Sequence, residues 1–247
     1  MKKGIVQVSL GVILAIVFLM VSVSGAESGL PSQFVACADV TLLSGTPIQT
    51  GSDSIQQALV LGQRLYAGSI LQTDATSRLE LTFPGGEIVR MAEETTVELG
   101  AVAPGVEASG LQFQVALTRG EVWVSLFGRL RAEGFQLLAA GAGFSGKESA
   151  FRAILFPEGN VEVKAYSGQV TADGPFEIVK KDGRYVLRTF SDDDDETVVD
   201  PWRHQVEPYL KMMVLSSGEA TLPFRFAAKS DLTEWVRWNQ ERDEAGK

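Results

Sequence analysis

This chain of 247 residues holds one cysteine, Cys37, and one histidine, His204. Zinc sites of the Cys/His type, cysteine-ligated iron–sulfur clusters and disulfides within the chain are excluded by counting. A Ser-His-Asp triad would have to use His204, and no G-x-S-x-G elbow stands in the sequence to present a nucleophile. Positive charge is also scarce. The 22 Lys+Arg face 31 Asp+Glu, the formal charge is −9, and no Lys/Arg run is longer than two. A protein that tracks phosphates needs a basic face, so nucleic acid is excluded as the main partner. Spaced calcium ligands are missing too. The acids Asp192 to Asp195 and Glu196 stand side by side, without the intervening residues and turn glycine of a calcium loop. They read as a solvated acidic connector over 191–200. With so little chemistry supplied, the chain reads as no enzyme and as needing no cofactor.

What is present begins at the N-terminus. Met1-Lys2-Lys3 is a short positive leader, followed by an apolar stretch from Ile5 to Val23 and then Ser24-Gly25-Ala26. Small residues at these positions predict a secretory signal peptide over 1–26, cut between Ala26 and Glu27. The apolar run also approaches the roughly 20 residues that span a bilayer, so an uncleaved single-pass inner-membrane anchor is the alternative. Either reading carries the remainder out of the cytoplasm, into the periplasm or outer envelope of a bacterium. Without the leader, 20 basic residues face 31 acidic ones, a net charge of −11. Cys37 stands about fourteen residues past Val23, too far for a lipid-attachment cysteine, and reads as a small buried hydrophobe.

From Asp39 to Phe190 the chain alternates. In Arg78 to Phe83, Leu79, Leu81 and Phe83 share a face. Val122, Val124 and Leu126 do so in Glu121 to Leu126, as do Val161, Val163 and Ala165 in Val161 to Tyr166. Period 2 with one polar face predicts half-buried antiparallel strands. Leu79, Leu81, Val122, Val124, Val161 and Val163 are assigned to the core, and Glu80 to the solvent face. Turns are expected at Pro84-Gly85-Gly86, Arg119-Gly120, Glu158-Gly159-Asn160, Ser167-Gly168 and Asp182-Gly183. The expected fold over 39–190 is all-β, an antiparallel sandwich or β-roll of short strands.

The texture changes after the acidic connector. Val206, Leu210 and Met213 have helical spacing, so 201–247 is expected to be a tail of short helices. Asp231, with Glu234 three residues on, is the expected N-cap of the last one. Leu232, Trp235, Val236 and Trp238 place two large rings on one side of it.

Leu65 to Gly174 resembles the FecR domain, a β-rich module of bacterial envelope proteins. The residues that carry the resemblance are Gly68-Ser69-Ile70-Leu71-Gln72-Thr73, Ser77 to Phe83, Gly85-Gly86-Glu87-Ile88 and Thr95 to Leu99. They continue with Leu117-Thr118-Arg119-Gly120-Glu121-Val122-Trp123-Val124, then Gly159-Asn160-Val161-Glu162-Val163 and Ser167-Gly168-Gln169-Val170. Trp235 to Asp243 is similar to a tail that often follows this domain in exported proteins. Two departures stand out. Where the family carries a Thr-Pro pair and an Arg-Gly-Thr-x-Phe element, this chain has Ala139-Ala140 and Lys147-Glu148-Ser149-Ala150-Phe151, and retains only Phe151. Family members that control a sigma factor do so through a cytoplasmic N-terminal domain, and only four residues precede the apolar run here. The sigma-factor role is carried over only if another protein supplies that half.

Two motif matches are decoys. Gly141-Ala142-Gly143-Phe144-Ser145-Gly146 fits G-x-G-x-x-G, but a dinucleotide site needs a helix next, and Lys147 to Phe156 runs into another hairpin. His204 near Asp200 and Glu207 reads as a surface residue. The expected role is therefore a non-catalytic extracytoplasmic binding or signalling module, docking an envelope protein or a polysaccharide. The alternative is a structural envelope component that assembles with itself or the cell wall. Contact with membrane is expected only through the N-terminal segment if it stays uncleaved. Trp235, Trp238 and Arg242 are the candidate partner-binding residues, because exposed aromatics and arginines dominate interface energies. The competing reading packs both rings on the β domain.

Overall fold

The computed structural model describes residues 36–51, 54–102, 112–128, 134–175, 177–181, 184–188 and 201–246. The Ala26/Glu27 cleavage pair, the acidic connector and the Asp182-Gly183 turn lie outside these residues. The first strands are β1 (Ala36–Ser44), β2 (Ile48–Thr50), β3 (Gln56–Ala58), β4 (Arg64–Tyr66), β5 (Ile70–Gln72), β6 (Arg78–Thr82), β7 (Ile88–Met91) and β8 (Thr96–Val102). Then come β9 (Gln112–Leu126), β10 (Phe135–Ala139), β11 (Ala142–Leu155), β12 (Val161–Gly174), β13 (Glu177–Lys181) and β14 (Arg184–Arg188). The last are β15 (Trp202–Val206), β16 (Leu210–Val214) and β17 (Phe224–Arg225), followed by the helix α1 (Glu234–Ala245).

The all-β expectation holds. Fifteen strands form one sheet whose main path runs β17-β16-β12-β11-β10-β9-β7-β6-β1-β4, while β13 and β14 pair separately. Pairings are antiparallel except for the parallel contact of β10 with β9. One hydrophobic cluster gathers side chains from β1, β4 to β12, β15 and β16. Leu79, Leu81, Val122, Val124, Val161 and Val163 are all fully buried in it, as their alternation requires.

Two of the expected turns are instead bends inside long strands. Gly120 interrupts β9 where the strand leaves β8, after the bulged pairing with Thr96, and takes up β11 and β7. Its φ is +85°, and a Cβ there would stand 2.7 Å from Glu94 O and Thr95 Cα. Gly168, at φ +61°, lies in β12 opposite the bulge at Glu148, where a Cβ would approach Glu148 O to 2.2 Å. The glycine signal was right about backbone geometry, but it marks bulges, which let one strand serve two parts of the sheet.

The expected helices of 201–214 are also corrected. Residues 202–206 and 210–214 are β15 and β16, both hydrogen-bonded to β12. Pro208 lies at the centre of the stretch, where a helix would lose a hydrogen bond, and Tyr209 beside it has φ +64°. Val206, Met212 and Val214 are the buried residues, so the operative period from Leu210 on is 2. The tail therefore contributes strands to the sheet and a single helix. No helix among the described residues is long and apolar enough to cross a membrane.

Candidate functional site: a cation row beneath the C-terminal segment

Period 2 sends the partners of the core residues to the other face of the sheet, and there they line up. In register across six adjacent strands stand Glu80 (β6), Arg90 (β7), Trp123 (β9), Arg152 (β11), Lys164 (β12) and Lys211 (β16). Arg152 faces Lys164 directly, and Lys164 faces Lys211. Like charges in opposed positions destabilise a sheet, so this row holds only where carboxylates reach into it.

Three of those carboxylates belong to the sheet. Glu80 accepts from Arg90 Nε at 2.6 Å. Glu121 takes a two-pronged bond from Arg152 at 2.6 and 2.8 Å. Glu162 pairs with both lysines, at 2.9 Å from Lys164 Nζ and 2.6 Å from Lys211 Nζ. Two more come from the C-terminal segment. Asp231 accepts from Lys164 Nζ at 2.7 Å and Arg152 at 3.3 Å, and the Tyr166 hydroxyl donates to its second oxygen. Asp243 accepts from Arg90 Nη1 and Ser125 Oγ, both at 2.7 Å, and from Trp123 Nε1 at 2.9 Å. Arg242 returns the exchange, reaching both oxygens of Glu80 at 3.0 and 3.1 Å.

Titration follows from this pairing. Burial pushes the Glu80 carboxyl up, but hydrogen bonds from Arg242 and Arg90 overcome it and hold the group below its ordinary value. Glu162 is likewise held down by Lys211 and Lys164 against the effect of its burial. Burial and the Asp231 carboxylate both push the Tyr166 hydroxyl well up.

The helix sits over this seam. Its N-cap is Thr233, whose hydroxyl accepts from Val236 N at 3.2 Å. Asp231, expected to cap, is spent on Lys164 and Arg152 instead. Trp235 and Val236 are buried against Ala92, Trp123, Ala150 and Tyr166. Trp238 is half-buried and stacks on Trp235, with centroids 5.3 Å apart and planes at 18°. The guanidinium of Arg78 lies 5.3 Å from the Trp235 ring, and those of Arg78, Arg90 and Arg242 lie 5.2–5.8 Å from the Trp238 ring. Arg78 also donates to Glu234 at 2.8 and 3.0 Å. The three candidate partner-binding residues thus meet one another in space, but they fasten the helix to the sheet. Trp235 offers no free ring face. Leu232 precedes the helix and is exposed.

The remaining sequence-derived candidates lie elsewhere. His204 is half-exposed on β15 and stacks on Trp202 at 5.4 Å. Gly141 sits in the tight turn between β10 and β11, and a strand follows the G-x-G-x-x-G match. Cys37 is buried on β1, and desolvation pushes its thiol up to about 12. Arg90, Arg152, Lys164 and Asp243 carry no sequence expectation, and Glu80 and Asp231 were expected only at the solvent face and at the helix cap. Their legible sign was Trp123 and Tyr166, large rings at outward positions of alternating strands, which imply a covered face.

No protein-family model matches this sequence, and no curated protein matches it. In fold it is similar to two crystal structures, at 2.50 and 1.65 Å resolution, of a candidate anti-sigma factor from Parabacteroides distasonis ATCC 8503. Each comparison gives a TM-score of 0.41 at 16% identity and covers 65% of this chain. The chain spans 61% of the length of those proteins.

Proposed function

We propose that this chain is a non-catalytic binding or signalling module of the bacterial envelope, carrying a divergent FecR-like β domain exported by its N-terminal segment. The partner is an envelope protein or a polysaccharide. One observation carries the reading: the ionisable groups gathered on the outer face are paired with one another, so they provide cohesion and shape. Export is supported by the Lys2-Lys3 leader, the apolar run and Ser24-Gly25-Ala26, and the module type by the ordered motifs between Leu65 and Gly174.

The test is chemical cross-linking in intact cells followed by fractionation and mass spectrometry. The expected result is a protein that begins at Glu27, fractionates outside the cytoplasm and is cross-linked reproducibly to one envelope component. Recovery from the cytosol, or the absence of any cross-linked component, overturns the proposal.

A further inference from the structure

The cation row has an uneven source of compensation. Glu80, Glu121 and Glu162 are fixed in the sheet, whereas Asp231 and Asp243 arrive on one segment that follows the last strand. That segment shares no strand ladder with the sheet. It is held through bonds that each involve a side chain: carboxylates at its two ends, Arg242, the Glu234–Arg78 pair, Arg90 on Asn239, the buried Trp235, Val236 and Asn239, and the Trp238 ring beneath Arg78, Arg90 and Arg242. Removing it as a unit would leave Arg90, Arg152 and Lys164 in register around Trp123, flanked by Tyr166.

We propose that the segment Asp231–Ala245 is a detachable strap that occupies, in cis, a docking row for an acidic peptide segment of a partner protein. The inference rests on the binding-module reading and names the partner's chemistry. It is a peptide with two carboxylates about a dozen residues apart and large rings between them, since that arrangement satisfies the row here.

Two physical facts make the strap separable. Buried ion pairs come close to breaking even with hydration, so parting all of them together returns each charge to water, whereas deleting one partner strands the other. The strap is therefore either fully seated or fully released. The apolar cover that opposes release is the small cluster of Ala92, Trp123, Ala150, Tyr166, Trp235 and Val236, with Trp238 packed at its edge, against the much larger cluster inside the sheet. The closed state also leaves Trp235 Nε1 buried with no hydrogen-bond partner among the described residues. Segments with few buried apolar contacts open below the global unfolding free energy.

The test has two arms. In native-state hydrogen exchange of the full wild-type chain, the central amides of α1, Trp238 to Arg242, are expected to be at least tenfold less protected than those of β9, β11 and β12, with a weaker urea dependence. Equal protection and equal urea slopes would make the strap part of the cooperative body and overturn the proposal. In the second arm the full chain carries Asp231→Asn, Trp235→Ala and Asp243→Asn. A labelled synthetic peptide of residues 226–246 is added, and fluorescence anisotropy is read. Binding is expected to this variant and not to wild type, whose own strap competes at high effective concentration. Binding should weaken at least tenfold when the peptide carries Asn at 231 and 243. Failure of the peptide to bind a variant whose sheet amides stay protected, or equal binding by the carboxamide peptide, overturns the docking row. Should the variant unfold altogether, sheet and strap are one unit, and that result also overturns it. None of these outcomes alters what cross-linking in cells reports, so the two proposals fail separately.

Discussion

At the scale of single residues, Leu81 and Glu80 show what alternation can and cannot tell. Both lie on β6, and period 2 assigns them correctly to opposite faces. The inference that the face opposite the core is solvated fails, because Glu80 is buried beneath α1 and bonded to Arg90 and Arg242. Leu81→Ala should cost on the order of 2–5 kcal/mol in urea unfolding, the range for emptying a buried leucine site. Glu80→Ala should cost about 3 kcal/mol, because it leaves the buried Arg90 guanidinium short of a carboxylate. A Glu80→Ala cost below about 0.5 kcal/mol would return the residue to solvent. The same carboxylate sets a pH dependence. Its folded value lies below the ordinary one, so its contribution is present above the usual carboxylate range and disappears as pH falls through the folded value. The stability difference between wild type and Glu80→Gln should therefore be full at pH 7 and shrink as pH falls below about 4. A difference that grows on acidification would contradict the assignment.

At the scale of elements, local signals were read correctly and placed wrongly. Glycine at 120 and 168 does mark positive φ, yet both positions bend strands of 15 and 14 residues instead of ending them. Composition cannot separate a bulge from a turn, since both need the same backbone conformation, and only the long-range partners decide. Gly120→Ala should lower stability by at least about 2 kcal/mol in urea unfolding, from strain at φ +85° plus the close approach of Glu94 O and Thr95 Cα. A neutral effect would mean that β9 does not bend there. Helical spacing over 201–214 misled for a related reason: apolar residues three or four apart also fit two short strands around a turn, and Pro208 was the sign that should have prevailed. The helix at 234–245 was legible, though its cap was displaced by two residues, because Asp231 is drawn to Lys164 and Arg152. Thr233→Ala should destabilise α1 by about 1 kcal/mol, read as faster exchange of its first-turn amides. An unchanged rate would place the cap elsewhere.

At the scale of the whole molecule, the sheet and its inner core follow from sequence because alternation is written locally in each strand. The seam does not, because it depends on register between strands far apart in sequence and on a segment whose Asp231 lies 65 residues after Tyr166 of β12. Arg152, Lys164 and Lys211 become neighbours only through pairings that no short motif encodes. The ring pair was visible as an anomaly, two tryptophans in a polar terminal helix, and its meaning required knowing what lies beneath it. The central claim is that Trp235, Trp238 and Arg242 fasten the C-terminal helix over the cation row. Thermal melting of the Trp235→Ala/Trp238→Ala double variant tests it most directly. Loss of about 3 kcal/mol of packing corresponds to a midpoint at least ~6 °C below wild type for a chain of this size, which is the predicted result. A midpoint within ~1 °C of wild type would show that the rings are not fastened to the sheet, and would contradict the account.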